Sequence, residues 1–184
     1  YALAEECASR GAEVILVSGP VTLKEHHPNI RRIDVESAEE MYEEARRAYT
    51  DADAGILCAA VADFTPDHTA DHKIKRGKDG MTIQLKPTKD IAASLGATKK
   101  EGQVLVGFAL ETNDEQQNAK GKLERKNFDF IVLNSLNDKG AGFRVDTNKI
   151  SIIDRQDTTS YPLKNKSEVA KDIIDRMVQN LIKN

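Results

Sequence analysis

A three-layer α/β fold on a mostly parallel sheet is the class this sequence predicts, and three observations predict it. β-rich apolar runs alternate with segments of helical spacing along most of the chain, the pattern of strand–helix–strand units. Two of the runs, AGILCAA (54–60) and QVLVGFALE (103–111), are almost wholly apolar, as expected of parallel strands covered on both faces. The 184 residues, 39% of them hydrophobic, suffice for one domain with a substantial core, yet no apolar run nears the roughly 20 residues of a membrane span. The sheet is therefore expected to be doubly wound and Rossmann-like, with two β-hairpins added to it.

The elements follow in order. Ala2, Leu3, Ala4, Cys7 and Ala8 have helical spacing, Gly11 stops the helix, and a strand over 14–17 ends at Ser18-Gly19-Pro20. This reads as the second half of a strand–helix–strand unit, so a first strand is expected ahead of Tyr1. IRRIDV (30–35) predicts a short polar strand. Ser37 with Glu40 forms a capping box that opens an amphipathic helix through Tyr49. AGILCAA follows as a central strand. Residues 73–75 and 81–85 flank GKDG and predict a hairpin, and Thr88 is placed to cap a short helix ended by Gly96. After QVLVGFALE, Asn113 with Gln116 opens a helix to about Lys126, and FDFIVLN (128–134) is the next strand. NKISIID and TTSYPL, separated by RQD, predict a second hairpin. Ser167 then caps a last helix with Val169, Ile173, Ile174, Met177 and Leu181 on one face.

The net charge of -3 argues against general nucleic-acid binding, but the charge is unevenly spread. From residue 73 to 100 there are eight Lys/Arg and two acids, a basic island on an otherwise acidic chain. That distribution suits a small polyanion. Two cysteines, Cys7 and Cys58, give no disulfide framework and read as buried, reduced thiols of a cytoplasmic protein. His68 and His72, spaced i, i+4 beside Asp67 and Asp71, would face one way only on a helix, which TPDHTADHK is poorly suited to form. Metal ligands are left unassigned. No G-x-S-x-G, P-loop or G-x-G-x-x-G is present.

In open parallel sheets ligands gather beyond the carboxyl ends of the strands. Three such ends carry candidate groups: Ala59, Ala60 and Asp63; Phe108, Glu111, Thr112 and Asn113; and Asn134. The alanines would let a ligand approach the backbone, and Asp63 could accept hydrogen bonds from a base, ribose or water. Lys73 beyond Asp63, and Lys122 with Lys126 at i, i+4, add cations from separate segments.

Together SGPVTL, CAAVADF, KIKR, KPTKDI, GFALETN, the Lys122/Lys126 pair before NFDFIVLN, and Gly142-Phe143 resemble phosphopantothenate-cysteine ligase, over nearly the whole chain. The resemblance implies a two-step reaction of coenzyme A biosynthesis. The carboxylate of 4'-phosphopantothenate attacks the α-phosphate of CTP in the presence of Mg²⁺, giving an acyl-cytidylate and pyrophosphate; the amine of L-cysteine then displaces CMP. It implies that Ala59, Ala60 and Asp63 contact the nucleotide and that Lys73, on a covering segment, serves catalysis at the phosphates. It implies further that Lys89, Asp90, Ile91 and Ala92 form a nucleotide-binding stretch, with Lys89 where many members have proline. Phe108 would pack on the base or ribose, and Lys122 and Lys126 would bind phosphates. Members are similar in being homodimers joined through added strands, and in many bacteria are fused behind a flavin-dependent decarboxylase. The resemblance thus implies a single ligase domain over 1–184, without the strand, Gly-rich loop and S-N-x-S-S-G-like motif that the family would place before Tyr1. The competing reading is a non-catalytic nucleotide-binding regulatory domain, to which Asp34 after IRRI gives a weak hint. The decarboxylase partner itself is disfavoured because its active-site His motif is not seen.

Overall fold

Consecutive strand residues point to opposite faces, so a run that is apolar throughout needs cover on both sides. The computed structural model describes residues 1–76, 80–111, 114–135 and 146–183. The first half comprises α1 (Ala2–Ser9), β1 (Val14–Ser18), β2 (Ile30–Asp34), α2 (Ala38–Tyr49), β3 (Ala54–Leu57), β4 (Phe64–Pro66), β5 (Leu85–Pro87) and α3 (Ile91–Thr98). The second comprises β6 (Val104–Glu111), α4 (Glu115–Arg125), β7 (Phe130–Ser135), β8 (Thr147–Asn148), β9 (Ile150–Ile153), β10 (Thr158–Ser160), β11 (Lys164–Asn165) and α5 (Lys166–Lys183).

The main sheet has the order β10-β9-β7-β6-β3, with β3, β6 and β7 parallel and β9 and β10 antiparallel. On one face Leu105, Ile131, Leu133 and Ile153 meet Tyr49, Leu95, Ala119 and Leu123 of α2, α3 and α4. On the other, Val104, Val106, Val132 and Ile152 meet Val169, Ile173, Ile174 and Met177 of α5. Burying each Ile of α5 contributes roughly 1.5–3 kcal/mol, which seats that helix without help from its own propensity. β1 and β2 form a separate parallel pair under Ala4 and Ala8 of α1. The mostly parallel three-layer architecture is thus as the apolar runs predicted.

Local chemistry explains most boundaries. Ser37 accepts the Glu40 N–H and the Glu40 carboxylate accepts the Ser37 N–H, the capping box expected for α2. Asp90 rather than Thr88 caps α3, accepting the Ala93 N–H at 2.9 Å. α3 runs past Gly96 to Thr98 because Gly96 is needed inside it: a Cβ there would strike the carbonyl of Lys126. The Asn113 cap of α4 lies outside the described residues, as do the first three residues of GKDG and the Gly142-Phe143 pair; Asp114 occupies the N-cap position with φ 46. α5 begins at Lys166, one residue before the Ser167 cap position.

Two expectations are corrected. β3 ends at Leu57, and Cys58, just beyond it, is exposed rather than buried. Residues 73–75 and 81–85 do not pair with each other. Instead β4 pairs with β5, Phe64 opposite Pro87 and Pro66 opposite Leu85, and two prolines that cannot donate to a ladder keep that pair short. The second expected hairpin does form: β9 and β10 pair antiparallel, and β9 joins the main sheet along Ile131–Asn134 of β7, leaving β10 outermost.

Candidate functional site

Where β3 stops, the chain leaves the sheet with Ala59, Ala60 and Asp63 exposed. The short β4–β5 pair then returns it to the same place. The Thr88 N–H donates to the Asp63 carbonyl at 2.9 Å, and Thr88 Oγ1 donates to the Ala62 carbonyl at 2.7 Å. These two bonds tie Ala62 and Asp63 to Thr88, two residues before the Asp90 cap of α3. Ile91 is buried as an anchor of α3 in the core, Ala92 is half-buried, and Asp90 stays exposed.

Lys126 closes this corner from the other side. It is the C-cap of α4, and its ammonium pairs with the Asp90 carboxylate. Asn127, at φ 51, donates its side-chain amide to the Gly96 carbonyl at 3.0 Å, and Lys99 donates to the Asn127 carbonyl at 3.0 Å. Lys99 also bridges Asp129, whose carboxylate receives the Leu105 N–H at 2.6 Å. The end of α4 is therefore tied to α3 and to the first residues of β6. None of these ties was evident in the sequence, because each joins residues about 25–35 apart through side chains that are ordinary at the surface.

Lys89 is engaged by α2. Its ammonium lies 2.5 Å from Glu39, 3.4 Å from Glu43 and 4.5 Å from the centre of the Tyr42 ring. The hydrogen bond to Glu39, then that to Glu43, holds the Lys89 pKa above the usual lysine value. Tyr42 Oη lies 3.3 Å from Ser94 Oγ, so α2 grips α3 at two points. The i, i+3/i+4 set Glu39, Tyr42, Glu43 was the one sequence signal for this clamp.

Other predicted residues are placed elsewhere. Phe108 is half-buried in the core beneath α5. Lys122 lines an open polar groove on α4 with Gln117, Asn118, Gly121 and Arg125. Lys73 is exposed on the segment between β4 and β5, and no contact joins it to the other candidates among the described residues. Asn134 accepts from Asn148 at 3.1 Å, while Thr112 and Asn113 lie outside the described residues. A second groove, lined by Asp34, Glu39, Glu40, Glu43 and Glu44, has the wrong charge for a phosphate. Among the described residues no group of three or more His, Cys, Asp and Glu could hold a metal, and no helix is long and apolar enough to cross a membrane.

The corner is a strand end with exposed alanines, the exposed carboxylate of Asp63, and Asp90 paired with Lys126; Lys122 lies apart on the α4 groove, and Lys73 on the segment between β4 and β5. Comparison with known proteins gives it context. A family model described as DNA/pantothenate metabolism flavoprotein C-terminal domain matches residues 1–181. A Bacillus subtilis (strain 168) protein named coenzyme A biosynthesis bifunctional protein CoaBC is 44% identical over 96% of this chain and 44% of its own length. A protein of an unknown prokaryotic organism, named cysteine/cysteine sulfinic acid decarboxylase, is 57% identical over 96% of this chain and 50% of its own length. The chain thus spans about half the length of these curated relatives. The solved C-terminal domain of a coenzyme A biosynthesis bifunctional protein CoaBC superimposes with TM-score 0.83 at 34% identity, covering all of this chain and 82% of that one. A Cab2 mutant in complex with phosphopantothenate-cysteine shares the fold at TM-score 0.64 and 17% identity, over 84% of this chain and 55% of that one.

Proposed function

The chain belongs to the DNA/pantothenate metabolism flavoprotein C-terminal domain family, and from that premise we propose that it is a phosphopantothenate-cysteine ligase domain acting in coenzyme A biosynthesis. The observation that supports the reading is the tie from Thr88 back to Ala62 and Asp63 beyond β3, next to the Asp90 cap of α3 with which Lys126 pairs. CTP binds there, its base and ribose against the strand end. Mg²⁺ arrives with CTP as part of the substrate, as is common for an ion held largely by phosphate oxygens. Lys73 swings onto the phosphates when the segment between β4 and β5 closes, and offsets the charge that develops as the 4'-phosphopantothenate carboxylate attacks the α-phosphate. L-cysteine then displaces CMP. Lys89, held by Glu39 and Glu43, positions the nucleotide stretch from behind.

The exposed Phe64, Ile74, Met81, Ile83 and Leu85 support a homodimer in which this segment packs on a second copy. The length of the relatives fits a polypeptide that also carries a flavin-dependent decarboxylase. The cytoplasm is the compartment this chemistry implies.

The test is pyrophosphate release by the full-length chain. It is expected only with 4'-phosphopantothenate and CTP together, much more slowly with ATP, with phosphopantothenoylcysteine appearing once L-cysteine is added. Nucleotide binding without pyrophosphate would favour the regulatory reading. Carbon dioxide released from cysteine alone, with no nucleotide required, would favour the activity for which the 57% identical relative is named. Sedimentation as a monomer at micromolar concentration would sink the dimer.

A further inference from the structure

α4 carries a glycine where a helix least favours one. Gly121 lies inside Glu115–Arg125 and is not among the residues of positive φ, so no backbone conformation calls for it. Glycine is the poorest helix former after proline. What the absent side chain admits is a guanidinium: a Cβ at position 121 would stand 2.9 Å from Nη1 of Arg125. Arg125 therefore lies back along its own helix over the bare backbone of Gly121, the way helical side chains lean. There it joins Gln117, Asn118 and Lys122 around an open groove of about 360 Å³. These side chains supply two cations and two amides, and no carboxylate lines the groove among the described residues. Positions 117, 118, 121, 122 and 125 form one continuous stripe, away from the buried Ala119 and Leu123. The lysine expected to share ligand with Lys122 is Lys126, but Lys126 is taken up by Asp90. Arg125 has no ion pair among the described residues.

We propose that Arg125, seated over Gly121, is the second phosphate-binding cation of this groove, forming with Lys122 a fork for one phosphate group of a substrate. A guanidinium presents two parallel N–H donors to phosphate oxygens, which an ammonium cannot. Gln117 offers an amide donor to the remaining oxygens. The proposal deepens the ligase reading and rests on it for the identity of the ligand, which is either the polyphosphate of CTP or the phosphomonoester of 4'-phosphopantothenate.

The experiment titrates inorganic pyrophosphate, CTP and 4'-phosphopantothenate into the full-length wild type and into Arg125→Gln, Arg125→Lys and Gly121→Ala, and records the Tm of each. Arg125→Gln is expected to weaken at least one of the three ligands tenfold or more, and Arg125→Lys to recover only part of the loss. Gly121→Ala should raise Tm, as the better helix former, while weakening the same ligand several-fold by displacing the guanidinium. A merely structural glycine would not give opposite signs. Loss confined to CTP and pyrophosphate assigns the groove to the polyphosphate, and loss confined to 4'-phosphopantothenate assigns it to the phosphomonoester. Wild-type affinity for all three in both Arg125→Gln and Gly121→Ala overturns the proposal. So does a lower Tm for Gly121→Ala, or a wild type that binds none of the three. Because the readout is binding, a chain that holds phosphate through Arg125 yet releases no pyrophosphate sustains this site and sinks the ligase reading alone.

Discussion

Val104, Leu105 and Val106 on β6 are shut away from solvent entirely, whereas Phe64, Ile74, Met81, Ile83 and Leu85, on the arm between β3 and α3, each leave more than half their surface exposed. Both regions are rich in large apolar residues. What separates them is cover: β6 has a paired strand on each side and helices on both faces, while the arm has the short β4–β5 pair, the Asp67–Gln84 backbone bond and an exposed Lys86–Asp67 ion pair at 3.6 Å. Such a pair contributes little. The body is stabilised by its own packing, and the arm leaves its apolar side chains without cover among the described residues.

The largest effect should follow from that contrast. Leu105→Ala removes a fully buried side chain and is expected to cost about 2–5 kcal/mol in chemical denaturation. Ile83→Asp, at a concentration where the proposed dimer has dissociated, should shift stability by no more than about 0.5 kcal/mol. At higher concentration Ile83→Asp should lower the dimer population in sedimentation. A core-sized loss from Ile83→Asp in the dissociated chain would erase the distinction between body and arm.

Lys73 and Lys126 extend the contrast to function, since one lies on the arm and the other caps α4 in the body. Lys73→Gln should slow turnover by about a hundredfold or more, roughly 2.7–4 kcal/mol of barrier, with CTP affinity little changed, because the lysine meets phosphate chiefly in the closed, reacting complex. Lys126→Gln should weaken CTP binding and spare turnover, since it loosens the preformed Asp90 corner. Steady-state kinetics with a CTP titration decides. Equal losses of affinity in the two variants would mean that the arm is already closed before chemistry.

Next comes Ser37→Ala, which removes half of the α2 capping box and is expected to cost about 1 kcal/mol. α2 also carries Glu39, Tyr42 and Glu43, which hold Lys89, so the same variant should weaken CTP slightly if the clamp positions the nucleotide stretch. An unchanged Kd alongside a lower Tm would confine α2 to the body.

What could be read in advance follows the same division. QVLVGFALE, FDFIVLN and the Ser37/Glu40 box are local signals, and the structure places β6, β7 and α2 within a residue or two of them. The arm was misread because residues 73–75 and 81–85 have strand composition, while the strands that form contain Pro66 and Pro87 and are fixed by Thr88 bonding back to Ala62 and Asp63. Composition shows which residues suit a strand, not which distant segment will pair with them. The site divides likewise. Asp63 was legible as a carboxylate beyond a strand end, whereas Asp90 entered only through the family resemblance. That Lys89 turns to Glu39 and Lys126 to Asp90 depends on how α2, α3 and α4 pack, and only the assembled helices reveal it.

The smallest expected effect tests the body where its packing is imperfect. Tyr49 is buried against Gly55 and Leu105, and its hydroxyl is the one buried side-chain polar atom without a hydrogen-bond partner among the described residues. Burial, with the Asp129 charge in addition, pushes its pKa well above the usual tyrosine value. Tyr49→Phe keeps the ring and removes the unpaired group, so at neutral pH the variant should equal the wild type or exceed it by up to about 1 kcal/mol. The pH dependence has a definite sign. The folded chain keeps Tyr49 protonated at pH values where the unfolded chain releases that proton, so stability present below the unfolded value of about 10 declines as pH rises above it. The Tyr49→Phe variant has no proton to lose at this position, and every other tyrosine is common to both chains. The advantage of Tyr49→Phe should therefore be constant up to about pH 9 and grow beyond pH 10, by at most about 1.4 kcal/mol per pH unit. Urea melts of the two chains from pH 7 to 11 measure it. A wild type more stable than Tyr49→Phe by more than about 1 kcal/mol at pH 7 would mean that the hydroxyl is satisfied after all, and that the body is packed as tightly at α2 as it is at β6.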